Sequence, residues 1–512
     1  MKSLDQLRRD AKALRKAHEA GDPLALQRLK VHPPRMDGRD LKHADFLHVI
    51  ALESGFVSWP ALKEAQEIQG LDRAAKLQKL KIALAHGQNA RVDRLLADTP
   101  DLADGLFGLQ VALLNRETVE RMLAEDPGRA TRVVAHQSPL CFLAFSKRFQ
   151  AQPDRVDDML AIAEMLLAHG ADVNDGRPVS PDSDHRLSVL YGAIGHADNM
   201  VLGRWFLDHG ADPNDGESLY HAAELGHHDG LNMLLEAGAD PRGTNALLRA
   251  MDFNDHQAVR LLLDHGARAD DFDGTHVGGE APWVVPALHQ AARRMCDAEM
   301  IDLLLEAGAN PGRVFEGCTA YGYARVFGNG DLARAIEARG DVPDLTEEER
   351  LLAMAADGEV PAGVYIDPAK LPEAYRNIIR LILHLPGKLD HVKRLVAMGV
   401  EYDRPDTEGL TPVQVAGWEG LPEVMGYLLS LKPDLSHVNT YGGTLLSTIL
   451  HGADNCPARA ERDYVGCLRL ALDEGVALPK AAIEFANEDE IANFLSDWAE
   501  AHPGSVVDQG AF

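Results

Sequence analysis

A thiol and an imidazole five residues apart, Cys141 and His136, would suit a nucleophile and its base. Cys141 follows Ser138-Pro139-Leu140, however, a cap and first turn of a helix, where a buried structural cysteine is expected. His169, His209 and His265 each stand directly before a glycine of similar context, so their recurrence reflects an internal repeat and not convergence on one metal. His227-His228-Asp229 lacks the spaced Cys or His partners of a zinc site. The acidic stretch from Ala269 to Pro286 places Asp271, Asp273, Gly274 and Glu280 at positions 3, 5, 6 and 12 of a calcium loop. Ala269 at position 1 removes an essential ligand, and Pro282 spoils the following helix. Neither a phosphate-binding glycine loop, a dinucleotide fingerprint, a nucleophile elbow nor an HExxH pair occurs. The expectation is no catalytic residue, no cofactor and no metal.

What these side chains sit on is a repeating element. From Asp406 to Asn439 the order is a turn, a Thr411-Pro412 helix start, a break at Gly420 and a second helix ending in Leu428-Leu429. Thr411 can cap the first helix, and Pro412 at its first position loses nothing by lacking an N–H. Neither helix is long enough to stand alone in water, so each must bury its apolar stripe on a neighbour. The end of the second helix echoes along the chain as LLAHGADVN, FLDHGADPN, LLEAGADPR, LLDHGARAD and LLEAGANPG, with a weaker copy EARGDVPD. Their glycines are Gly170, Gly210, Gly238, Gly266, Gly308 and Gly340, spaced 40, 28, 28, 42 and 32 residues apart. A residue closing a helix commonly turns left-handed, which favours glycine.

This order of turn, Thr-Pro, short helix, Gly break and second helix resembles an ankyrin repeat, whose period is near 33 residues. The resemblance implies an all-α fold, an ankyrin-repeat solenoid of stacked helix-turn-helix units with irregular loop insertions. His221 and His289 match the histidine of the family's T-P-L-H-x-A motif, which implies a structural role bonding adjacent turns; Cys141 takes the same slot. The expected organisation is a divergent N-terminal helical cap over 1–80, repeats over 81–344, an irregular helical insertion over 345–390, further repeats and a cap over 391–502, and a frayed tail over 503–512. Roughly ten to twelve units would fit, several degenerate.

No apolar run reaches the roughly 18 residues of a membrane helix, and the N-terminus lacks a signal-peptide core. Cys141, Cys296, Cys318, Cys456 and Cys467 are scattered and unpaired by motif, which points to a reducing, cytoplasmic setting. Net charge is −28, unevenly spread: the first 100 residues hold 18 Lys and Arg against 13 Asp and Glu, leaving 33 against 66 for the rest. Such a body repels phosphate backbones, which argues against direct nucleic-acid binding, and favours a protein partner with a basic surface. A head-to-tail contact of the basic N-terminal segment on the acidic remainder is a further possibility.

In the ankyrin family the residues after the first helix's Ala-Ala pair, with the hairpin tips, form a concave recognition face. Aligned on that pair, the resemblance implies partner binding by His196, Glu224, Leu225, Asp252, Phe253, Arg293, Arg294, Val326, Phe327, Trp418 and Glu419. The aromatic members matter most, because an exposed ring on a groove is what a hot spot requires. Long loops at 174–187 and 269–286 would overhang the same side, with Trp283 as a candidate anchor. The function expected is a non-enzymatic adaptor. The alternatives are an inhibitor or immunity-type protein that blocks a basic enzyme, and an enzyme with an unfamiliar site in 345–400.

Overall fold

The repeat glycines close their helices as the sequence requires. In the computed structural model Gly170, Gly210, Gly238, Gly266, Gly308 and Gly340 have φ of 91, 90, 94, 99, 90 and 92°. At Gly238 the amide donates to the Leu235 carbonyl and the next amide, of Ala239, reaches back to Leu234, both at 3.0 Å. That pair of bonds satisfies carbonyls the helix leaves open. The Asp and Asn that follow bond from one unit to the next. Asn174 Oδ1 accepts the Asp212 N–H at 2.8 Å, Asn214 Oδ1 accepts that of Asp240 at 2.7 Å, and Asp270 Oδ2 accepts that of Asn310 at 2.9 Å.

The structure describes residues 2–33, 41–179, 183–272, 284–340, 342–360, 363–486 and 488–508. These fall in two units, Leu71–Ala353 and Met1–Gly70 together with Met354–Phe512. Within Leu71–Ala353 short helices alternate with partners: Phe107–Ala112 with Arg116–Glu125, Pro139–Ala144 with Val156–Ala168, and Ser218–Ala222 with Asp229–Glu236. Ala246–Asp252 with His256–Asp264, Ala287–Arg293 with Ala298–Glu306, and Ala320–Phe327 with Gly330–Glu337 continue the series. Ser218–Ala222, Ala246–Asp252, Ala287–Arg293 and Ala320–Phe327 pack each on the next, and among the second helices Arg116–Glu125 packs on Val156–Ala168, His256–Asp264 on Ala298–Glu306, and Ala298–Glu306 on Gly330–Glu337. Asp255, Asp297 and Asn329 cap the second helices through the N–H groups of Ala258, Met300 and Leu332. Leu234, Leu262 and Leu304 are wholly buried between pairs, as are Ala222, Ala250 and Ala291, whose small side chains let the first helices approach. Each such Leu contributes roughly 1.5–3 kcal/mol on burial.

The fold is all-α with small hairpins between units. Gly176–Pro178 pairs antiparallel with Arg186–Ser188, and Val314–Phe315 with Cys318–Thr319. The first of these hairpins is the 174–187 insertion. After Ser188 the helix Val189–Tyr191 continues as a wider π turn over Gly192–His196.

In the second unit the N-terminal helix Leu4–Glu19 packs on His43–Glu53 around Leu7, Leu14, Phe46, Trp59 and Leu62. Ser58 caps Trp59–Gly70, its Oγ accepting the Ala61 N–H at 3.2 Å. Pro412–Trp418 with Pro422–Ser430, then Leu445–Asn455 with Tyr464–Asp473, form helix pairs at the other end of the chain. The final helix, Asp489–Ala501, packs against Trp59–Gly70 and His43–Glu53. Arg8 and Lys12 reach Glu500 at 3.3 and 3.9 Å, so basic N-terminal and acidic C-terminal residues do meet, within one chain. The terminal stretch is not frayed as far as Val507: Val506–Val507 pairs in parallel with Leu478–Pro479, tied there by main-chain bonds that its composition does not announce.

Candidate recognition surface

The ends of the first helices in Leu71–Ala353 carry a chain of alternating charges. His221 Nδ1 donates to Glu224 Oε1 at 2.6 Å, and Arg249 Nε donates to Glu224 Oε2 at 2.8 Å. Arg249 Nη1 also donates to Asp252 Oδ2 at 3.1 Å, and Asp252 Oδ1 accepts from Arg294 Nε at 2.8 Å. The ladder crosses three repeats, and Arg249 is its centre. Burial alone would raise the Glu224 pKa, but the His221 hydrogen bond and the Arg249 charge outweigh it and hold the carboxyl below its ordinary value. The same interactions push the Arg249 guanidinium up against the effect of its burial. Glu224 is therefore ionised and neutralised in place, and the pairing of Asp252 with Arg249 and Arg294 leaves this stretch charge-balanced within an acidic chain.

Arg249 also lies between two rings, 5.2 Å from the centre of Phe253 and 5.5 Å from that of Tyr220. Tyr220 is buried, whereas Phe253 is 42% exposed. A large apolar ring is thus presented to solvent beside a guanidinium whose rotamer two carboxylates fix. Glu224, Leu225, Asp252 and Arg294 are half-buried around it. Sequence reasoning picked out Glu224, Asp252, Phe253 and Arg294 but missed Arg249 and His221 as their partners. The signal was there: Arg249 precedes Asp252 and Phe253 by three and four residues, hence shares their helix face.

Of the other expected members, Arg293, Val326 and Phe327 do not belong to this surface. Val326 and Phe327 are fully buried, and Phe327 stacks on Tyr323 at 5.4 Å, so a recognition role for either does not hold. The reason is length. Their helix runs one residue longer than Ala246–Asp252, to Phe327, and closes on Gly328 with φ of 74°, so Phe327 is still helical where its counterpart Phe253 has left the helix. Arg293 is also buried, its Nη2 donating to Gln290 Oε1 at 2.6 Å, and it too is corrected to a packing residue. His196 is half-buried with its ring 5.4 Å from that of Phe145. Burial first, then Lys147, Arg177, His221 and His86, lower its pKa to about 3, so it stays neutral at physiological pH. Trp418 and Glu419 belong to the other unit. Trp418 is half-buried with its carbonyl accepting from Tyr464 Oη at 3.1 Å, and Glu419 is met by Arg462 at 3.7 Å. Trp283 lies outside the described residues, as do Asp273, Gly274, Glu280 and Pro282 of the acidic stretch.

The thiol and imidazole groups that could do chemistry have structural partners. Cys141 is buried, its N–H capped by Ser138 Oγ at 3.3 Å, and burial pushes its thiol pKa up. His169, His209 and His265 each donate from Nδ1 to the carbonyl four residues earlier, at 2.7, 2.7 and 2.9 Å. Their recurrence thus marks helix ends. His227 and His228 pair with Asp198 and Asp255 of adjacent turns at 2.9 and 2.7 Å. His289 is buried with Nε2 donating to the Cys318 carbonyl at 3.1 Å, a link between adjacent units. In 345–400, burial lowers Lys388 to about 8 and His391 to about 3. Among the described residues no group of three His, Cys, Asp or Glu could hold a metal ion, and no helix is long and apolar enough to cross a membrane.

A family model described as Ankyrin repeat matches residues 286–314, the span of Ala287–Arg293 and Ala298–Glu306. No curated protein matches the chain. Among solved structures, an ankyrin repeat domain from Acinetobacter baumannii is similar at 20% identity, over 40% of this chain and 97% of that one, with a TM-score of 0.30. Ankyrin repeats are generally protein–protein interaction modules. The matched unit, and the helix pairs, glycine closures and inter-unit bonds repeated around it, are similar to ankyrin repeats.

Proposed function

We propose that the chain is a non-enzymatic, cytoplasmic adaptor that binds a protein partner on the first-helix side of Leu71–Ala353, with Phe253 and Arg249 at the centre. The observation that carries this reading is the exposed Phe253 ring beside a guanidinium held by Glu224 and Asp252. An aromatic and an Arg whose rotamers are already fixed lose little freedom on binding, which is what a hot spot needs. The acidic excess after residue 100 favours a partner with a basic surface. Affinity capture from the native host, with wild type and Phe253→Ala run side by side, tests the proposal. A partner retained by wild type and lost by Phe253→Ala, with unfolding midpoints equal, supports it. A partner held equally by both removes Phe253 from the interface.

The second reading is an inhibitor that covers a basic enzyme, favoured by the same charge excess. It requires one-to-one binding whose affinity falls steeply between 50 and 200 mM salt, roughly the range over which screening of exposed charges becomes strong. Trp418→Ala, in the other unit, would separate a partner that uses both units from one that uses Leu71–Ala353 alone.

A further inference from the structure

A cavity of about 450 Å³ opens among Arg73–Ala85, Phe107–Ala112 and Pro139–Ala144, apart from the Phe253 surface. Its size falls within the roughly 300–1,000 Å³ of ligand pockets. The walls are apolar, formed chiefly by Leu84, Leu106, Phe107, Phe142, Phe145 and Val134. Gly108 sits tight beneath one ring, since a Cβ there would come within 2.8 Å of Phe142. Two wall residues keep large apolar side chains in solvent: Leu106 is 37% and Val134 57% exposed, with Val133 beside them at 62%. An unfilled apolar hollow is costly to leave wet.

The backbone around it is strained. Val134 pairs with Gln137 across a turn whose central residues, Ala135 and His136, have φ of 49 and 65°. Such turns favour Asn and Gly, and the left-handed conformation disfavours alanine. Ala135 itself lines the cavity, so the strain is spent where it shapes the wall.

The charge at the mouth is opposite to that of the chain. Lys81, Arg129 and Arg132 line the cavity, and no carboxylate does among the described residues. Asp126 meets Arg132 at 2.9 Å and Arg129 at 3.7 Å, one acid shared by two guanidinium groups. A fourth cation, Arg177, lies 4.2 Å from the Phe145 ring centre, with its Nε buried and without a hydrogen-bond partner among the described residues. The hollow calls for an apolar group and the rim for negative charge.

We propose that this cavity is a docking pocket for an acidic peptide segment of a partner protein, taking one bulky apolar side chain while flanking Asp or Glu residues meet Lys81, Arg129 and Arg132. It extends the adaptor reading to a second contact whose charge preference is the reverse of the first.

The test is fluorescence anisotropy with the full chain and a labelled peptide Gly-Asp-Glu-Phe-Leu-Glu-Asp-Gly, against a control with lysine in place of every acid. The expected result is saturable binding of the acidic peptide alone. Lys81 and Ala85 are exposed, as is Arg132, so changing them spares the core. Lys81→Glu combined with Arg132→Glu should weaken binding by roughly tenfold or more, and Ala85→Trp, which fills the mouth, should abolish it. Phe253→Ala should bind normally, which separates failure here from failure of the first reading. Absence of saturable binding, equal binding of the lysine peptide, survival of binding in Ala85→Trp, loss of binding in Phe253→Ala, or uptake of decanoate in place of the peptide would each overturn the proposal.

Discussion

Arg249→Met keeps an aliphatic stem over Phe253 and Tyr220 but deletes the guanidinium that Glu224 and Asp252 share. The side chains of Arg249, Glu224 and Asp252 are 22%, 23% and 10% exposed, so the abandoned acids are largely kept from water. Breaking a fully buried pair costs about 3–5 kcal/mol. Here part of each group is wetted, and Asp252 retains Arg294 and Gln290, so about 2–3 kcal/mol is expected. For a unit of this size that lowers the unfolding temperature by roughly 4–12 °C. Urea unfolding of wild type, Arg249→Met, Glu224→Gln and the double variant should give a coupling energy of about 1–2 kcal/mol. The pH dependence has a definite sign. Glu224 is held below its unfolded value of roughly 4.3, so its contribution is complete above that pH and disappears as pH falls through the depressed folded value. Arg249→Met should flatten that acid limb. A loss below about 0.5 kcal/mol with no coupling would mean the ladder neither stabilises the surface nor fixes its rotamers.

Three further outcomes follow from burial. Phe327→Ala should cost about 3–5 kcal/mol in urea unfolding, since its ring is fully enclosed, whereas Phe253→Ala should cost about 1 or less; equal losses would refute the division between core and surface. Asp497 is raised to about 6 by burial, then by Glu500 and Asp45. Its stabilising proton is therefore present below about pH 4 and lost as pH rises through about 6, so Asp497→Asn should stabilise by at most about 3 kcal/mol at pH 7, and a wild type without slope in that window would contradict this. Burial pushes Cys296 and Cys467 up to about 12, so a thiol reagent at pH 8 should leave both unlabelled until urea is added; prompt native labelling would show that reagent and water reach them.

The features legible in the chain are those decided within one turn of it. Gly238 and its counterparts announce left-handed closure because the preference belongs to a single residue's backbone. Thr411-Pro412 marks a helix start that forms as a capping box with Gln414. The histidine before Gly170, Gly210 and Gly266 is legible as periodic, yet its bond to the carbonyl four residues back is not.

Packing decided the rest. Aligning on Ala-Ala pairs placed Phe327 with Phe253, but one extra residue before Gly328 carries the first ring inward and leaves the second outside. Arg249 and Glu224 are 25 residues apart, and only the stacking register of successive repeats brings them together. Arg8 and Glu500 meet across nearly the whole chain, which no local preference encodes. Short-range dihedral preference and capping suffice to specify each helix pair. Which rings stay exposed, and which charges cancel, depends on contacts between pairs distant in sequence, where burial and Coulomb energy outweigh the preferences of any one residue.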